Sequence, residues 1–242
     1  MIKIKYLLQF IVIYFLLIIF KILGIKYSSI LSGQLLKIIG PIFRSNNICN
    51  SNLSIAFPKL NNLQKKAIIK SMWFNYGRMF AEYLYISQFR NSELSKNIHI
   101  ENQDELEIIK KSSKPVIFVS GHFNNFELMA MHIEKSGINL AAIYRPLNNN
   151  FLNPIMEKIR KELICKKQIK KGLIGTKELL KKYKSGTSIA LMIDQRVSEG
   201  IMCEFFGYNA KTTTIPAQFV KKFDANIVPI YIERTKDNFF KL

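Results

Sequence analysis

The hydrophobic positions change their period along the chain, from a continuous apolar run to helical spacing and then to short buried runs. Residues 6–20 carry no charge and a single amide side chain, Gln9. These 15 residues are fewer than the roughly 20 that span a bilayer, but the apolar residues that follow, with snorkelling of Lys5 and Lys21, extend the run. No small-residue cleavage site follows it. The pattern therefore predicts an uncleaved membrane anchor over 1–26.

The segment after the anchor has scattered apolar positions and few charges. Residues 27–50 are expected to form an interfacial linker helix that lies on the membrane, with a plain core helix as the alternative. A long helix is expected over 63–89, where an apolar stripe is typical of a core face. The cations on the far side of the anchor favour a cytoplasmic location for the rest of the chain: Lys21, Lys26, Lys37 and Arg44.

From residue 115 onward, short apolar runs alternate with helical patterns. The runs predict strands over 116–119, 140–144, 187–193 and 227–232, and the patterns between them predict helices over 125–136, from 153, over 174–184 and from 216. Gly137 is expected to end the first of these helices, and Asn153 to cap the second ahead of Pro154. Crossovers of this length join parallel strands. The sequence therefore predicts an α/β fold, with a mixed, largely parallel central sheet flanked by helices, over 51–242.

Charged side chains follow three of these strands at their carboxyl ends. His122 follows the first strand, Arg145 the second and Asp194 the third. Because the carboxyl ends of parallel strands meet at one edge, these side chains are expected to gather there, and Arg160 could reach the same edge. Glu127 lies in the first turn of the helix after His122, from which its carboxylate can reach back to one ring nitrogen and leave the other to accept a proton. The alternative is a turn histidine followed by an ordinary acidic residue at a helix N-terminus.

The composition of the chain indicates contact with a membrane and with an anionic partner. The hydrophobic content is 48% with a mean hydropathy of +0.06, and the net charge is +19. Residues 157–184 hold eleven lysine and arginine residues against three glutamates. Three cysteines without CxxC spacing argue against a disulfide framework or a zinc site. Nucleic-acid binding is disfavoured, because a membrane anchor precedes the basic segment and the chain has no recognisable binding module.

Seven short motifs together carry a family resemblance, in order and in spacing. The chain resembles the late (secondary) acyltransferases of lipid A biosynthesis, the lauroyl/myristoyl transferases. The matching motifs are Asn52-Leu53, Ala56-Phe57-Pro58, Gly121-His122-Phe123-Asn124-Asn125-Phe126-Glu127, Tyr144-Arg145-Pro146-Leu147-Asn148-Asn149, Ile193-Asp194-Gln195, Phe205-Phe206-Gly207 and Val228-Pro229-Ile230.

The resemblance implies a glycerol-3-phosphate-acyltransferase-like fold and a reaction. A fatty acyl chain would pass from acyl carrier protein to a hydroxyl of a 3-hydroxyacyl chain on a Kdo-bearing lipid A precursor, at the cytoplasmic face of the bacterial inner membrane. His122 would be the general base and Glu127 its orienting partner, while Arg145, Arg160 and Asp194 would serve substrate binding. Neither a metal nor a cofactor is implied, since a thioester is already activated. The implied partners are acyl carrier protein, the lipid A precursor and anionic inner-membrane lipids, and not nucleic acid.

One departure from the family and one shared motif leave other interpretations open. Members of that family usually continue for several dozen residues beyond the strand near Ile232, so the chain is expected to lack the usual C-terminal part, and an inactive remnant that only docks on membrane is one alternative. A glycerophospholipid-type acyltransferase is the other, since those enzymes share a His-x4-acid motif. Their acid is typically aspartate, however, and their Phe-Pro-Glu-Gly-type block has no counterpart here.

Overall fold

The structure is a computed structural model that describes residues 2–43, 45–112 and 114–242. Arg44, one of the cations expected beyond the anchor, lies outside the described residues. The helices are α1 Ile2–Phe43, α2 Asn46–Ala56, α3 Asn62–Glu82, α4 Ile86–Asn91, α5 Gln103–Ser112, α6 Glu127–Lys135, α7 Asn153–Ile159, α8 Leu173–Lys184 and α9 Ile215–Phe223. The strands are β1 Ile98–His99, β2 Ile117–Ser120, β3 Leu140–Tyr144, β4 Lys167–Lys170, β5 Ser188–Met192, β6 Ile201–Phe205, β7 Tyr208–Thr212, β8 Ile227–Pro229, β9 Glu233–Lys236 and β10 Phe239–Lys241.

The described chain divides into two compact units by contact. The first comprises Met1–Ile13, Ile86–Cys203 and Ala210–Leu242, and the second comprises Tyr14–Tyr85 and Glu204–Asn209. This grouping does not test the functional boundaries expected after residues 26 and 50, which stay predictions.

The first unit is built on a five-stranded sheet in the order β4-β3-β5-β2-β8, and the pairings along it are parallel. This confirms the predicted α/β class with a largely parallel central sheet. In the centre, Ser120 at the end of β2 pairs with Met192 at the end of β5. The loops that follow these two strands therefore begin at the same level of the sheet edge.

Alternation along β2 sends side chains to the two faces of the sheet. Ile117 and Val119 belong to a buried cluster with Leu179 and Tyr183 of α8 and Phe219 of α9. The Tyr183 ring meets the Phe219 ring edge to face, with 5.0 Å between ring centroids. Phe118, from the opposite face, is buried as well. Both faces of the sheet are therefore covered, as a parallel sheet requires.

The structure corrects several element boundaries. Asn153 does not cap α7, because its side chain accepts a hydrogen bond from the backbone N–H of Leu147 and donates one to Glu157. The last predicted strand is shorter, since β8 ends at Pro229. The pattern also missed β4, in which Ile169 is buried between polar neighbours, and it missed the β6–β7 hairpin. Gly137, at φ 95°, follows the end of α6 as predicted.

Helix α1 contains one break. Gly24 has φ 73° and ψ 165°, which is not helical, and it separates the apolar run from residues 25–43. Over Ile2–Ile42 the most apolar stretch has a mean hydropathy of 2.5 and is 6% buried. By length and composition this helix is able to cross a membrane.

Within the second unit, the part of α1 after Gly24 packs closely on α3. A Cβ added to Gly77 would lie 2.2 Å from the backbone oxygen of Ser32, so only glycine allows this approach. Ser29 donates to the buried Glu82 carboxylate at 3.0 Å and accepts from Arg78 Nε at 2.9 Å. The small residues at the crossing let the two backbones approach closely, and the hydrogen bonds of Ser29 join the two helices.

The crossing predicts the effect of one added methyl group. Gly77→Ala should lower the free energy of unfolding by about 1–3 kcal/mol, because backbone atoms cannot move aside as a flexible side chain can. Helix propensity alone would act in the opposite direction, since alanine favours a helix over glycine by about 1 kcal/mol. Thermal unfolding in detergent micelles measures the effect, with the exposed Ser71→Ala in the same helix as control. A raised melting temperature for Gly77→Ala would contradict the close crossing.

Candidate active site

The loop from β2 to α6 places His122 at the carboxyl edge of the sheet. Asn124 adopts a positive φ of 43° in this turn, a conformation that asparagine tolerates better than most residues. Its amide donates to the backbone oxygen of Ile232 at 3.2 Å. The ring of Phe126 meets the His122 ring edge to face at 4.8 Å. The turn is thus held on both sides of the imidazole.

Asp194 forms two hydrogen bonds with His122. Its Oδ2 accepts from the backbone N–H of His122 at 2.8 Å, and its Oδ1 lies 2.8 Å from Nδ1 of the ring. An ionised carboxylate only accepts, so Nδ1 carries the proton and Nε2 keeps a free lone pair. A Cβ on Gly121 would lie 2.9 Å from the Phe123 ring and 3.2 Å from Asp194 Oδ2, so glycine leaves both side chains room beside the backbone.

Glu127 does not fill the place that the sequence suggested for it. Its Oε1 accepts hydrogen bonds from Nε of Arg160 at 3.0 Å and from the Arg160 Nη2. Among the contacts of the described residues, none joins Glu127 to His122. The expected contact between them is therefore wrong, because the first turn of α6 directs this carboxylate to the arginine of the neighbouring π-helical turn, Arg160–Ile164.

The Glu127–Arg160 pair is well shielded from water. The side chain of Glu127 is 10% exposed and that of Arg160 is 15% exposed. The guanidinium also lies over the ring of Tyr144, 5.8 Å from its centroid. A charge pair buried to this extent fixes the position of both side chains, since neither tolerates the loss of the other.

Tyr144 extends this set toward α7. Its hydroxyl donates to Oε1 of Glu157 at 2.7 Å, and Lys170 Nζ lies 3.7 Å from the same oxygen. Burial, and then the hydrogen bond to Glu157, raise the pKa of Tyr144 to about 12. Hydrogen bonds from Tyr144 and Asn153 lower the pKa of Glu157. The phenol therefore stays protonated and the carboxylate ionised near neutral pH.

A cavity of about 560 Å³ opens beside these groups. Four of the five candidate residues line it: His122, Glu127, Arg145 and Arg160. Asp194 is not among the lining residues, but it is hydrogen-bonded to His122. Apolar side chains from the sheet and from α6 form much of the wall, among them Phe118, Ala130, Ile133, Ala142 and Ala190. The site thus joins a histidine, whose Nε2 has no hydrogen-bond partner among the described residues, to a cavity that has both apolar and charged surface.

Three further cations, which the sequence motifs do not include, border the cavity. They are Lys170 and Lys171, at and just after the end of β4, and Arg196, two residues beyond Asp194. Each is exposed, as is Arg145. The missed β4 explains why Lys170 and Lys171 were not assigned to the site. Only the dense lysine pattern of that segment signalled their presence. Exposed cations at a cavity suit a negatively charged substrate or partner.

Two comparisons with known proteins bear on these features. A search of curated proteins found no match. The family model of the bacterial lipid A biosynthesis acyltransferases matches residues 1–242, the whole chain. The match agrees with the resemblance seen in the sequence motifs and with the histidine beside a partly apolar cavity. The chain belongs to the bacterial lipid A biosynthesis acyltransferase family.

Proposed function

We propose that this protein transfers a fatty acyl chain from acyl carrier protein to a hydroxyl of a 3-hydroxyacyl chain on a Kdo-bearing lipid A precursor, in the manner of the lauroyl/myristoyl transferases. The observation that carries the proposal is His122, held by Asp194 with Nε2 free, at a partly apolar cavity in a member of this family. A long acyl chain needs apolar surface, and a phosphorylated lipid and an acidic carrier protein need cations.

In the proposed reaction, Nε2 of His122 accepts the proton of the acceptor hydroxyl as its oxygen attacks the thioester carbonyl carbon. A tetrahedral intermediate forms, and its negative charge falls on the former carbonyl oxygen. Collapse of the intermediate expels the thiolate of the carrier, which takes the proton from His122. One ester forms, one thioester breaks, and the imidazole returns to its starting state. Asp194 keeps Nδ1 protonated throughout and stabilises the transient imidazolium.

The remaining site residues are assigned by their contacts. Glu127 acts in catalysis through Arg160, which it holds at the cavity wall, so the guanidinium is positioned for the developing negative charge or for a substrate phosphate. Arg145 is assigned to the same anionic groups, since it is exposed and lines the cavity. Asp194 is moved from substrate binding to orientation of the base. No step requires a metal or a cofactor.

The proposed location follows from the apolar helix and the charge. Residues 1–26 would anchor the chain in the bacterial inner membrane, 27–50 would lie along its surface, and 51–242 would form the catalytic domain on the cytoplasmic face. Anionic lipids would then face a chain of net charge +19.

The central prediction concerns the base and its partner. In cells that lack the native acyltransferase, the unaltered chain should restore the missing acyl group of lipid A, read by mass spectrometry, and His122→Ala should not. With purified protein, His122→Ala should lower kcat/KM by roughly 10²–10⁴-fold, the range for a positioned general base. Asp194→Asn should cost less, and the double variant should be scarcely worse than His122→Ala, because the two residues act as a unit.

The exposed Asp104→Asn on α5 is the matched control, and it should retain full activity. Thermal unfolding of each variant separates lost chemistry from lost structure. A His122→Ala enzyme that still transfers the acyl chain would rule out the mechanism. Additive losses of kcat/KM from His122→Ala and Asp194→Asn would show that the two residues act independently.

The Glu127–Arg160 pair predicts an asymmetric effect on stability. Arg160→Met should lower the free energy of unfolding by about 3–5 kcal/mol, since it leaves a buried carboxylate without its partner. Adding Glu127→Gln should restore most of that loss, because the stranded charge is then removed. Urea unfolding of the two single variants and of the double variant gives the coupling free energy between Glu127 and Arg160. Equal stability of Arg160→Met and the native chain would mean that the carboxylate finds another partner.

The basic segment predicts how the donor docks. Reversing the exposed Lys166 and Lys171 to glutamate should raise KM for acyl carrier protein by about tenfold at low salt, and the difference should shrink at high salt. The matched control, Lys59→Glu with Lys236→Glu, changes the net charge equally at two exposed positions elsewhere. If both pairs change KM alike, the segment has no special role in docking and only net charge matters.

A further inference from the structure

The β6–β7 hairpin exposes more apolar surface than a soluble hairpin needs. Its large apolar side chains are each more than half exposed: Ile201, Met202, Phe205, Phe206 and Tyr208. The rings of Phe205 and Phe206 contact each other edge to face at 4.6 Å between centroids. These aromatic groups lie at the end of the hairpin, where they contribute to no core among the described residues.

The turn itself places an aromatic residue in an unfavourable position. Only residues 206 and 207 join the strands, and both have a positive φ, 53° for Phe206 and 76° for Gly207. A two-residue hairpin of this kind takes asparagine and glycine with ease, whereas a phenylalanine in the left-handed region is uncommon. The sequence keeps an aromatic ring at the tip against the preference of the backbone. Such a departure points to a function for the side chain.

The hairpin is also amphipathic. Residues that flank a two-residue turn lie opposite each other, so alternation places Phe205, Cys203 and Ile201 on one face together with Tyr208 and Ala210. The other face carries Met202, Glu204, Asn209 and Lys211. One face and the tip are thus apolar and aromatic, and the second face is largely polar. This is the distribution of an element that lies at a lipid–water boundary.

The unit that contains the tip identifies the occupant. Residues 204–209 belong to the same compact unit as 14–85, which includes most of the apolar helix α1. That helix presents exposed apolar side chains along its length, among them Phe15, Ile18 and Ile22. The tip therefore belongs to a unit that already contains a membrane-spanning candidate. Tyrosine is enriched at the membrane–water interface, and phenylalanine is typical of the apolar face of interfacial elements.

We infer that the tip of the β6–β7 hairpin, Phe205-Phe206-Gly207-Tyr208, inserts into the interfacial layer of the lipid bilayer as a second attachment point beside α1. This assignment is independent of the acyl transfer reaction. It makes the hairpin a membrane contact in its own right.

Fluorescence quenching by brominated lipid tests the insertion directly. The full chain carrying Phe206→Trp is reconstituted in phosphatidylethanolamine–phosphatidylglycerol vesicles, with and without dibrominated acyl chains, and the signal of Trp73 in the native chain is subtracted. The matched control is Ile108→Trp on α5, which is about as exposed as Phe206 but has Asp104, Glu105 and Glu107 nearby. If the tip reaches the roughly 5–10 Å depth of interfacial elements, the added indole of Phe206→Trp should be quenched at least about twofold more strongly than that of Ile108→Trp.

A second variant guards against a failure to fold. Phe205→Trp places the added indole on the strand next to the turn, and it should be quenched in the same way as Phe206→Trp. The double variant Phe205→Trp with Phe206→Asn has a residue that this turn prefers but lacks the aromatic ring at the tip, so its indole should be quenched less than that of Phe205→Trp alone. Equal quenching of the Phe206→Trp and Ile108→Trp variants overturns the inference. Emission that changes with protein concentration but not with brominated lipid would also overturn it, by identifying a second copy of the chain as the occupant of the tip.

Discussion

The parallel pairing of β2 with β5 is the constraint on which the site depends. Because Ser120 pairs with Met192, the chain leaves both strands at the same level, and two residues later His122 and Asp194 lie within hydrogen-bonding distance. Gly121 leaves the carboxylate the room it needs beside the backbone. Slipping the pairing by one residue would turn each side chain to the opposite face and separate the two groups. The geometry of the base is thus a property of the sheet.

This dependence explains what could be predicted from the sequence and what could not. The apolar runs at 116–119 and 140–144 identified two strands, and the polar residues after them correctly pointed to one edge of the sheet. The partner of His122 was misassigned, because Glu127 is close in sequence whereas Asp194 becomes close only through strand pairing. Nothing local in the sequence encodes that register. The catalytic roles themselves stay a proposal.

Elements of mixed polarity were the other source of error. In β4 only Ile169 is buried, so Lys167-Gln168-Ile169-Lys170 has the composition of a surface segment, although it forms the edge of the sheet. The chain beyond Pro229 is apolar like a strand, but among the described residues only one further backbone hydrogen bond to β2 follows, from the N–H of Ile230 to the Val119 oxygen. The backbone oxygen of Ile230 accepts from the Ser120 hydroxyl instead. Burial and pairing, rather than apolar character alone, decided both cases.

The break at Gly24 has a consequence for the proposed membrane anchor. Residues 2–23 form a helical length of about 33 Å, close to the roughly 30 Å hydrocarbon core of a bilayer. Beyond it, a non-helical backbone at Gly24 interrupts the continuous ladder of helical hydrogen bonds, and a Cβ there would meet nothing within 4 Å. If the first segment spans a bilayer as proposed, a change of bilayer thickness would alter its tilt by hydrophobic mismatch. Since the rigid rod ends at Gly24, that tilt need not be passed on to residues 25–43.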